Sequence, residues 1–256
     1  MIPDQDIRVA FVDDSEKMGG AQHCLLHLLS GLAEGGRISP ILFCRPSSEI
    51  ATLAQVRSMA VRRVEIPKFA PISTVRKGHR RFSLSAGVFD TYALRQSSRR
   101  LANLLKSESV HLVHTNTLFA HFYGGMAARR LKLPCIWHHH DLVERDRLLG
   151  LFNWILGTAA AHLADHVICV SRSVQSTLDH RLASTVIYNA LSDDWWDPPP
   201  AASHSSESTV GFVGRIAYSK GLDTLIDAVP QVTESVPNVR FSIVGSASRA
   251  EADYLS

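Results

Sequence analysis

The chain has 256 residues, of which 45% are hydrophobic and 20% charged. This composition is typical of a soluble globular protein, and the length allows one large domain or two of ordinary size. No apolar run reaches the ~18 residues that a membrane-spanning helix needs. The first residues also lack the basic-then-apolar order of a secretory signal. The sequence therefore predicts a cytoplasmic protein, whose four widely spaced cysteines are reduced and buried.

The net charge of +3 conceals a basic segment between Arg57 and Lys106. This segment carries twelve Lys or Arg and two acidic residues, which gives it +10 and leaves −7 for the rest of the chain. A local excess of this size attracts anionic surfaces. We expect either a solvated basic loop or peripheral contact with an anionic membrane, at the inner face of the plasma membrane. Nucleic acid is not expected as a partner, because few aromatic residues are interleaved for base stacking.

Apolar runs of strand length alternate with amphipathic stretches of helical period along most of the chain. Strands are predicted at 7–12, 40–43, 61–64, 112–114, 135–138, 167–170 and 186–188. Helices are predicted at 21–33, between the second and third strands, and at 88–106, 120–131 and 152–163. Such alternation gives parallel strands with helices on both faces, because crossover connections are right-handed. Residues 1–189 are therefore predicted to form a complete, doubly wound, Rossmann-like α/β domain.

A break in pattern follows this first domain. Three consecutive prolines and a Ser-rich stretch predict a linker over 190–208. Beyond it, strands at 209–214 and 240–244 flank a helix at 221–235, and helix-prone residues occupy 249–255. Two strands leave a sheet edge and a sheet face uncovered. Residues 209–256 are therefore expected to be the beginning of a second domain that is cut short.

Two glycines, Gly19 and Gly20, stand where the first strand leads into the first helix. Glycine lets a backbone approach a ligand closely, and the helix start presents free N–H groups to an anion. A tight turn without a ligand explains the pair equally well. The segment lacks the GxGxxG pattern of NAD-type dinucleotide binding.

The second unit repeats this arrangement of a strand, a glycine and a helix start, and it adds two cations. Gly214 and Arg215 follow a buried strand, and Lys220 stands at the entrance of the next helix. Two positive charges at a helix N-terminus are suited to binding a diphosphate. Solvated surface cations are the alternative interpretation.

This second segment, Gly-Arg-x4-Lys-Gly-Leu-Asp-x-Leu-Ile-x-Ala, resembles the donor-site signature of glycosyltransferase family four. Further segments resemble that family in chain order, namely residues 19–21, 113–116, 134–141, 164–173, 186–189 and 241–245. The resemblance implies the GT-B fold, in which two Rossmann-like domains face a cleft. It also implies a retaining transfer of sugar from a nucleotide-diphosphate sugar to a saccharide or lipid-linked acceptor, in cell-surface polysaccharide or glycolipid synthesis.

The resemblance also assigns roles to individual residues. Arg215 and Lys220 would neutralise the departing diphosphate, so no metal or other cofactor is expected. His140 would contact the donor sugar as the catalytic-site histidine. Asn116 would lie on the acceptor side, at a strand end facing the cleft.

Two departures from the family pattern stand out. Ala190 replaces the glycine that usually follows the crossover asparagine, and any residue but glycine resists a positive φ. The family's glutamate pair, which would lie beyond Ser256, is absent from this chain. We therefore expect the chain to be weakly active or inactive alone. A non-catalytic remnant and a nucleotide-sugar epimerase of the same architecture remain as alternatives.

The run of histidines before Asp141 raises one more alternative, a metal site. Successive residues of a strand point to opposite faces, so only His138 and His140 could share a ligand. The sequence offers no third ligand, and a polar strand end is the favoured interpretation.

Overall fold

The structure is a computed structural model that describes residues 6–67, 73–76, 79–82, 84–142, 151–178, 182–190, 208–217 and 220–247. The chain divides into two compact units, Met1–Ser192 and Asp193–Ser256, called here the N-terminal and C-terminal units. The predicted linker lies outside the described residues except at its two ends.

Strands and helices alternate along the N-terminal unit. Its strands are β1 (Ile7–Asp13), β2 (Ile38–Cys44), β3 (Ala60–Arg63), β4 (Ser73–Arg76), β5 (His79–Phe82), β6 (Leu112–Thr115), β7 (Cys135–His139), β8 (His166–Cys169) and β9 (Ser184–Val186). Its helices are α1 (Gly20–Glu34), α2 (Glu49–Val56), α3 (Leu84–Ser107), α4 (Leu118–Leu131), α5 (Leu151–Leu163) and α6 (Arg172–Gln175).

Within the described residues of this unit, seven strands form one sheet in the order β3-β2-β1-β6-β7-β8-β9. Neighbouring strands are all parallel. The chain builds one half of the sheet outward from β1 and then returns through α3 to start the other half at β6. Ligands of doubly wound sheets bind where the strand order reverses in this way, at the carboxyl ends of the strands. We call this side of the sheet the carboxyl edge.

Each face of the sheet is covered by its own group of helices. Phe11 of β1 packs in a cluster with residues of α1 and α2, such as Leu25 and Ile50. Its neighbour Val12 belongs to the other cluster, which includes Leu101 of α3. Adjacent residues of one strand enter different clusters because their side chains alternate between the faces. This arrangement explains why the strands are apolar almost throughout.

Helix α4 lies unusually close to the sheet. A Cβ atom on Gly124 would stand 2.6 Å from Cγ2 of Thr115, and one on Gly125 would stand 2.8 Å from Cβ of Leu163. Real Cβ atoms do not approach other atoms so closely. The glycine pair therefore permits the short separation between α4, β6 and the end of α5.

Most predicted elements coincide with observed ones within a few residues, with two corrections. In the basic segment, for which a solvated loop was one expectation, β4 and β5 form an antiparallel hairpin with Val75 opposite Arg80. Among the described residues its two strands pair only with each other, and they carry many basic residues, so the hairpin lacks the apolar run by which buried strands are recognised. The strand predicted at 186–188 is observed two residues earlier, as β9. The helix-prone segment 249–255 lies outside the described residues.

The turn at Ala190 needs no left-handed backbone. Ala190 is absent from the positive-φ residues of the described chain, so alanine fits there without strain. In the part of the chain that the structure describes, no helix has the length and apolarity needed to cross a bilayer.

The C-terminal unit contains β10 (Thr209–Val213), α7 (Leu222–Ser235) and β11 (Arg240–Val244). The two strands pair in parallel. Val213 is 83% exposed and Val244 57% exposed, so the described sheet of this unit carries apolar side chains in contact with solvent. Gly221 precedes α7 with φ of 66°, a left-handed conformation that favours glycine.

Candidate functional site

The carboxyl edge of the N-terminal unit collects polar side chains from several elements. Asp13 ends β1, and Asn116 directly follows β6, the strand on the other side of the reversal in strand order. His140 directly follows β7, while Gly19 and Gly20 stand at the start of α1. Four of the residues predicted from sequence therefore lie at one edge of this unit.

Asp13 is the centre of a buried hydrogen-bond network. Its Oδ1 accepts a bond from the backbone N–H of Ser15 at 2.9 Å. Its Oδ2 accepts bonds from Nε2 of Gln22 at 3.0 Å and from Nδ2 of Asn116 at 2.8 Å. Burial raises the pKa of the Asp13 carboxyl, and the bonds from Asn116 and Gln22 oppose this rise. The carboxylate thus serves as an internal acceptor that holds two other side chains in place.

Asn116, held by Asp13, in turn contacts His140. Nε2 of His140 lies 2.9 Å from Oδ1 of Asn116. Asn116 is buried, with 2% of its surface exposed, and its amide also donates a weak bond to the carbonyl of Ala21 at 3.4 Å. Burial lowers the pKa of His140 to about 4, although Asp141 opposes the shift. His140 is consequently a neutral imidazole at neutral pH.

A second buried network lies beside the first. Arg45, which directly follows β2, donates from Nε to the carbonyl of Asp14 at 2.7 Å. Its Nη2 stands 3.7 Å from Oδ2 of Asp14 in an ion pair whose side chains are only 8% and 9% exposed. Thr117 donates from its hydroxyl to Oδ1 of Asp14. Burial raises the pKa of Asp14, while the bond from Thr117 and the charge of Arg45 act against it.

The loop that leads to the glycine pair is held by the start of α2. Met18 donates its backbone N–H to Oε2 of Glu49 at 2.8 Å, and Lys17 forms an ion pair with Oε1 of the same carboxylate at 2.7 Å. Gly19 has extended backbone angles that any residue can adopt. A Cβ on Gly20 would meet nothing within 4 Å, so the space beside the helix start is open. The first N–H groups of α1 border this space.

Two further histidines lie beside His140. The ring centroids of His138 and His140 are 4.4 Å apart, and those of His114 and His138 are 5.3 Å apart. Burial lowers the pKa of His114 to about 4 and that of His138 to about 3, and neighbouring imidazoles add to both shifts. Both ring nitrogens of His138 lack a hydrogen-bond partner in the described part of the chain. The described residues contain no group of three or more His, Cys, Asp or Glu arranged to hold a metal.

The C-terminal unit holds the other predicted residues. Gly214 and Arg215 follow β10, and Lys220 lies two residues before α7 begins. Arg215 and Lys220 are exposed, and the backbone N–H of Lys220 bonds to the carbonyl of Ala217 at 2.9 Å. Both cations therefore border the segment between the strand end and the helix N-terminus, where N–H groups lack helical partners.

Close backbone packing shapes this segment. A Cβ on Gly245 would lie 1.8 Å from the carbonyl oxygen of Gly214, so no larger residue fits at position 245. A Cβ on Gly214 itself would meet only ordinary contacts with Phe212. The steric requirement for glycine thus falls on Gly245.

Sequence reasoning assigned no role to several residues of the carboxyl-edge networks, among them Asp13, Gln22, Arg45 and Thr117. A usable signal existed for two of them, because Asp13 ends one buried strand and Arg45 directly follows another. Polar residues at such positions meet at the carboxyl edge of a parallel sheet. Gln22 and Thr117 belong to helix starts and carry no comparable signal.

Comparison with known families decides the class of this chain. The model of Glycosyltransferase Family 4 matches residues 18–195, more than half of the chain. A second model, Glycosyl transferases group 1, matches residues 207–256. The chain belongs to glycosyltransferase family 4. The family predicted from the sequence is thereby confirmed, and the first match includes Gly19, Gly20, Asn116 and His140.

Curated relatives of this family 4 chain are longer than the matched segments. The phosphatidylinositol N-acetylglucosaminyltransferase gpi3 subunit of Schizosaccharomyces pombe is 33% identical over 92 residues, which cover 34% of this chain and 20% of the relative. An uncharacterized glycosyltransferase of Methanocaldococcus jannaschii is 26% identical over 150 residues, which cover 56% of this chain and 39% of the relative. The chain thus spans well under half the length of either relative.

The fold is shared with solved glycosyltransferase structures. HepE of Anabaena, solved in complex with UDP and glucose, superposes with a TM-score of 0.73 at 21% identity. The superposition covers 97% of this chain and 64% of HepE. The predicted α/β fold of the GT-B type is confirmed.

Proposed function

We propose that this family 4 chain belongs to an enzyme that transfers a sugar from a nucleotide-diphosphate sugar to an acceptor, with retention of the anomeric configuration. Family membership carries the proposal. The complex of HepE with UDP and glucose, a fold neighbour, supports the choice of donor. The acceptor is a saccharide or a lipid-linked saccharide precursor, and the product is a cell-surface polysaccharide or glycolipid.

In this proposal, Arg215 and Lys220 bind the diphosphate of the donor. Both are exposed cations between the end of β10 and the start of α7, where the positive end of the helix dipole also favours an anion. Charge on the leaving diphosphate grows during transfer, so fixed positive charges stabilise the transition state more than the ground state. The two cations take the place of a metal ion.

His140 contacts the transferred sugar in the same proposal. Its ring is neutral at neutral pH, because burial lowers its pKa to about 4. A neutral imidazole can exchange a hydrogen bond with a sugar hydroxyl, whereas an imidazolium would repel positive charge developing on the sugar. Gly20 leaves open space beside the start of α1, and together with Gly19 it suits the approach of a phosphate or an acceptor.

We further propose that the protein acts at the cytoplasmic face of the plasma membrane through its basic segment. The relative from Schizosaccharomyces pombe is named for transfer to phosphatidylinositol, an anionic lipid, which supports a lipid-linked acceptor. Helix α3 presents Tyr92, Arg95, Arg99 and Lys106 to solvent at spacings that share one helix face. An amphipathic helix with such a face attracts anionic headgroups.

Isothermal titration of the chain with UDP, GDP and ADP, and with their glucose conjugates, tests the diphosphate site. We expect binding of one nucleotide series and a loss of about 1.5–3 kcal/mol in Arg215→Ala, the scale of a charge-assisted hydrogen bond. Arg240→Ala is the matched control, because it removes the same charge from the opposite end of the two-stranded sheet. Equal affinities of the two variants, or no binding to any nucleotide, would refute the assignment.

A further inference from the structure

The orientation of the Asn116 side chain is determined by its surroundings. Its amide nitrogen faces Oδ2 of Asp13 at 2.8 Å and the carbonyl oxygen of Ala21 at 3.4 Å. Asp13 already accepts from the backbone N–H of Ser15 and from Gln22. Neither a carbonyl nor a carboxylate with these donors around it can donate a proton. The amide of Asn116 must therefore present its nitrogen to them and its oxygen to His140.

This orientation places the proton on one nitrogen of His140. Oδ1 of Asn116 is an acceptor only, and it lies 2.9 Å from Nε2 of His140. Nε2 must therefore carry the hydrogen. In the neutral ring the other nitrogen, Nδ1, then has a free lone pair and can only accept a hydrogen bond.

We infer that Asp13 and Asn116 are positioning residues that hold His140 in its Nε2–H tautomer, so that Nδ1 accepts a hydrogen bond from a hydroxyl of the donor sugar. This inference rests on the proposed function for its ligand, while the tautomer rests on the contacts alone. We call the hydrogen-bonded series Asp13–Asn116–His140 the relay. It gives the site a preference for a sugar that carries a hydrogen-bond donor at the position that contacts Nδ1.

The groups around His140 keep the relay in its neutral form. The ring of His138 is tilted by 32° from that of His140, with 4.4 Å between the ring centroids, and His114 and His139 add positive charge to the surroundings when protonated. Asp141, the next residue in the chain, acts in the opposite sense and favours protonation. Burial outweighs Asp141 and brings the pKa of His140 to about 4.

The tautomer can be measured without any ligand. In long-range ¹H–¹⁵N NMR spectra of the ¹⁵N-histidine-labelled chain at pH 7.5, protonated and unprotonated ring nitrogens have distinct shifts and couplings. The His140 signals are those missing from the His140→Gln variant. We expect the Nε2–H form in the wild-type chain. A wild-type spectrum showing the Nδ1–H form would overturn the inference.

Asp13→Asn should invert the relay. The new amide keeps its oxygen towards the N–H of Ser15 and turns its nitrogen towards Asn116 and Gln22. The amide of Gln22 reverses to accept from this nitrogen. The amide of Asn116 also reverses, gives up its weak bond to Ala21 and donates to Nε2 of His140. His140 should therefore change to the Nδ1–H tautomer. In the double variant Asp13→Asn/Asn116→Asp, position 116 again offers an acceptor, and the Nε2–H form should return.

Controls separate positioning from damage to the fold. Glu34→Gln, an equivalent change at the exposed end of α1, should leave the His140 signals unchanged. Thermal unfolding followed by circular dichroism checks that each variant is folded. Return of the original tautomer in the double variant cannot be explained by a purely structural role of Asp13. If Asp13→Asn folds and keeps the Nε2–H form, the inference is wrong.

A binding experiment tests the sugar contact separately. UDP-glucose is titrated in comparison with analogues in which each sugar hydroxyl in turn is replaced by fluorine, which cannot donate. One analogue should bind the wild-type chain roughly tenfold more weakly, the scale of one hydrogen bond. That difference should disappear in Asp13→Asn. Absence of any UDP-glucose binding would count against the proposed donor and the sugar contact. The NMR result would still decide whether Asp13 and Asn116 hold the tautomer of His140.

Discussion

Buried histidines with lowered pKa values should make the N-terminal unit sensitive to acid. His138 is 8% exposed, and burial lowers its pKa to about 3, with neighbouring imidazoles adding to the shift. The unfolded chain binds a proton at the ordinary pKa of 6.5. Between these values the unfolded state holds one more proton at this residue than the folded state. The contribution of neutral His138 is therefore complete above pH 6.5 and is lost as the pH falls.

His138→Leu should make the protein less sensitive to acid. The substitution removes the titrating group and places an apolar side chain of similar size in a buried position. As the pH falls from 6.5 to 4, the free energy of unfolding should decrease less steeply in the variant than in the wild type. The two slopes should differ by about 1.4 kcal/mol per pH unit. Guanidinium unfolding at a series of pH values measures the slope. His23→Gln, at an exposed position of α1, is the control, and identical slopes for both variants would contradict the prediction.

The close packing of helix α4 against the sheet involves the whole helix and not a single contact. The side chain of Thr115 occupies the space beside Gly124, and its hydroxyl forms a hydrogen bond with Nδ1 of His121 at 2.7 Å. An added methyl group on the helix would have to displace Thr115 or lift the helix. Both movements disturb a buried hydrogen bond and the packing of the central strands.

Gly124→Ala and Gly31→Ala should have opposite effects on stability. Alanine at position 31 of α1 meets nothing within 4 Å, so the free energy of unfolding should rise by about 0.5–1 kcal/mol through better helix propensity. At position 124 overpacking should outweigh the gain in helix propensity, so the free energy of unfolding should fall by about 1–2 kcal/mol. Urea unfolding of both variants measures the difference. Stabilisation by both substitutions would show that α4 can move away without cost.

At the scale of the whole molecule, charge is distributed very unevenly. The segment from Arg57 to Lys106 carries +10 in a chain whose net charge is +3. Part of this charge lies on the solvent-facing side of α3, where Arg95 and Arg99 are exposed beside Tyr92, which is 65% exposed. Attraction to anionic headgroups amounts to about 1 kcal/mol for each basic residue near the surface and weakens with salt.

The chain should bind vesicles that contain anionic lipid at low salt and be released at high salt. Arg95→Glu/Arg99→Glu should weaken this binding at least tenfold, because two attractive charges become repulsive. Arg37→Glu/Arg172→Glu changes the net charge equally at exposed positions outside the basic segment. Vesicle co-sedimentation compares the pairs. Absence of wild-type binding at any ionic strength, or equal loss in both variants, would dispose of the membrane proposal.

Local sequence patterns were sufficient for most of the secondary structure. β1 and β7 were found from short apolar runs, and α4 from its helical period, because each pattern records burial against the sheet. The β4–β5 hairpin was missed, because strands that pair only with each other need not be apolar. His140 and Asn116 were found through family segments. Arg45 follows a buried strand, which places it at the carboxyl edge, but no local pattern shows that its partner is Asp14, which lies 31 residues away.

The sequence by itself determined the order of strands and helices and the family, because buried parallel strands must be apolar and connected by amphipathic helices. Only the tertiary structure decided what lies at the carboxyl edge. The bond between Asp13 and Asn116 joins residues 103 positions apart, and it exists because β1 and β6 are neighbours at the reversal of strand order. The proton on His140 follows from that contact, since a side-chain amide takes its orientation from the groups around it.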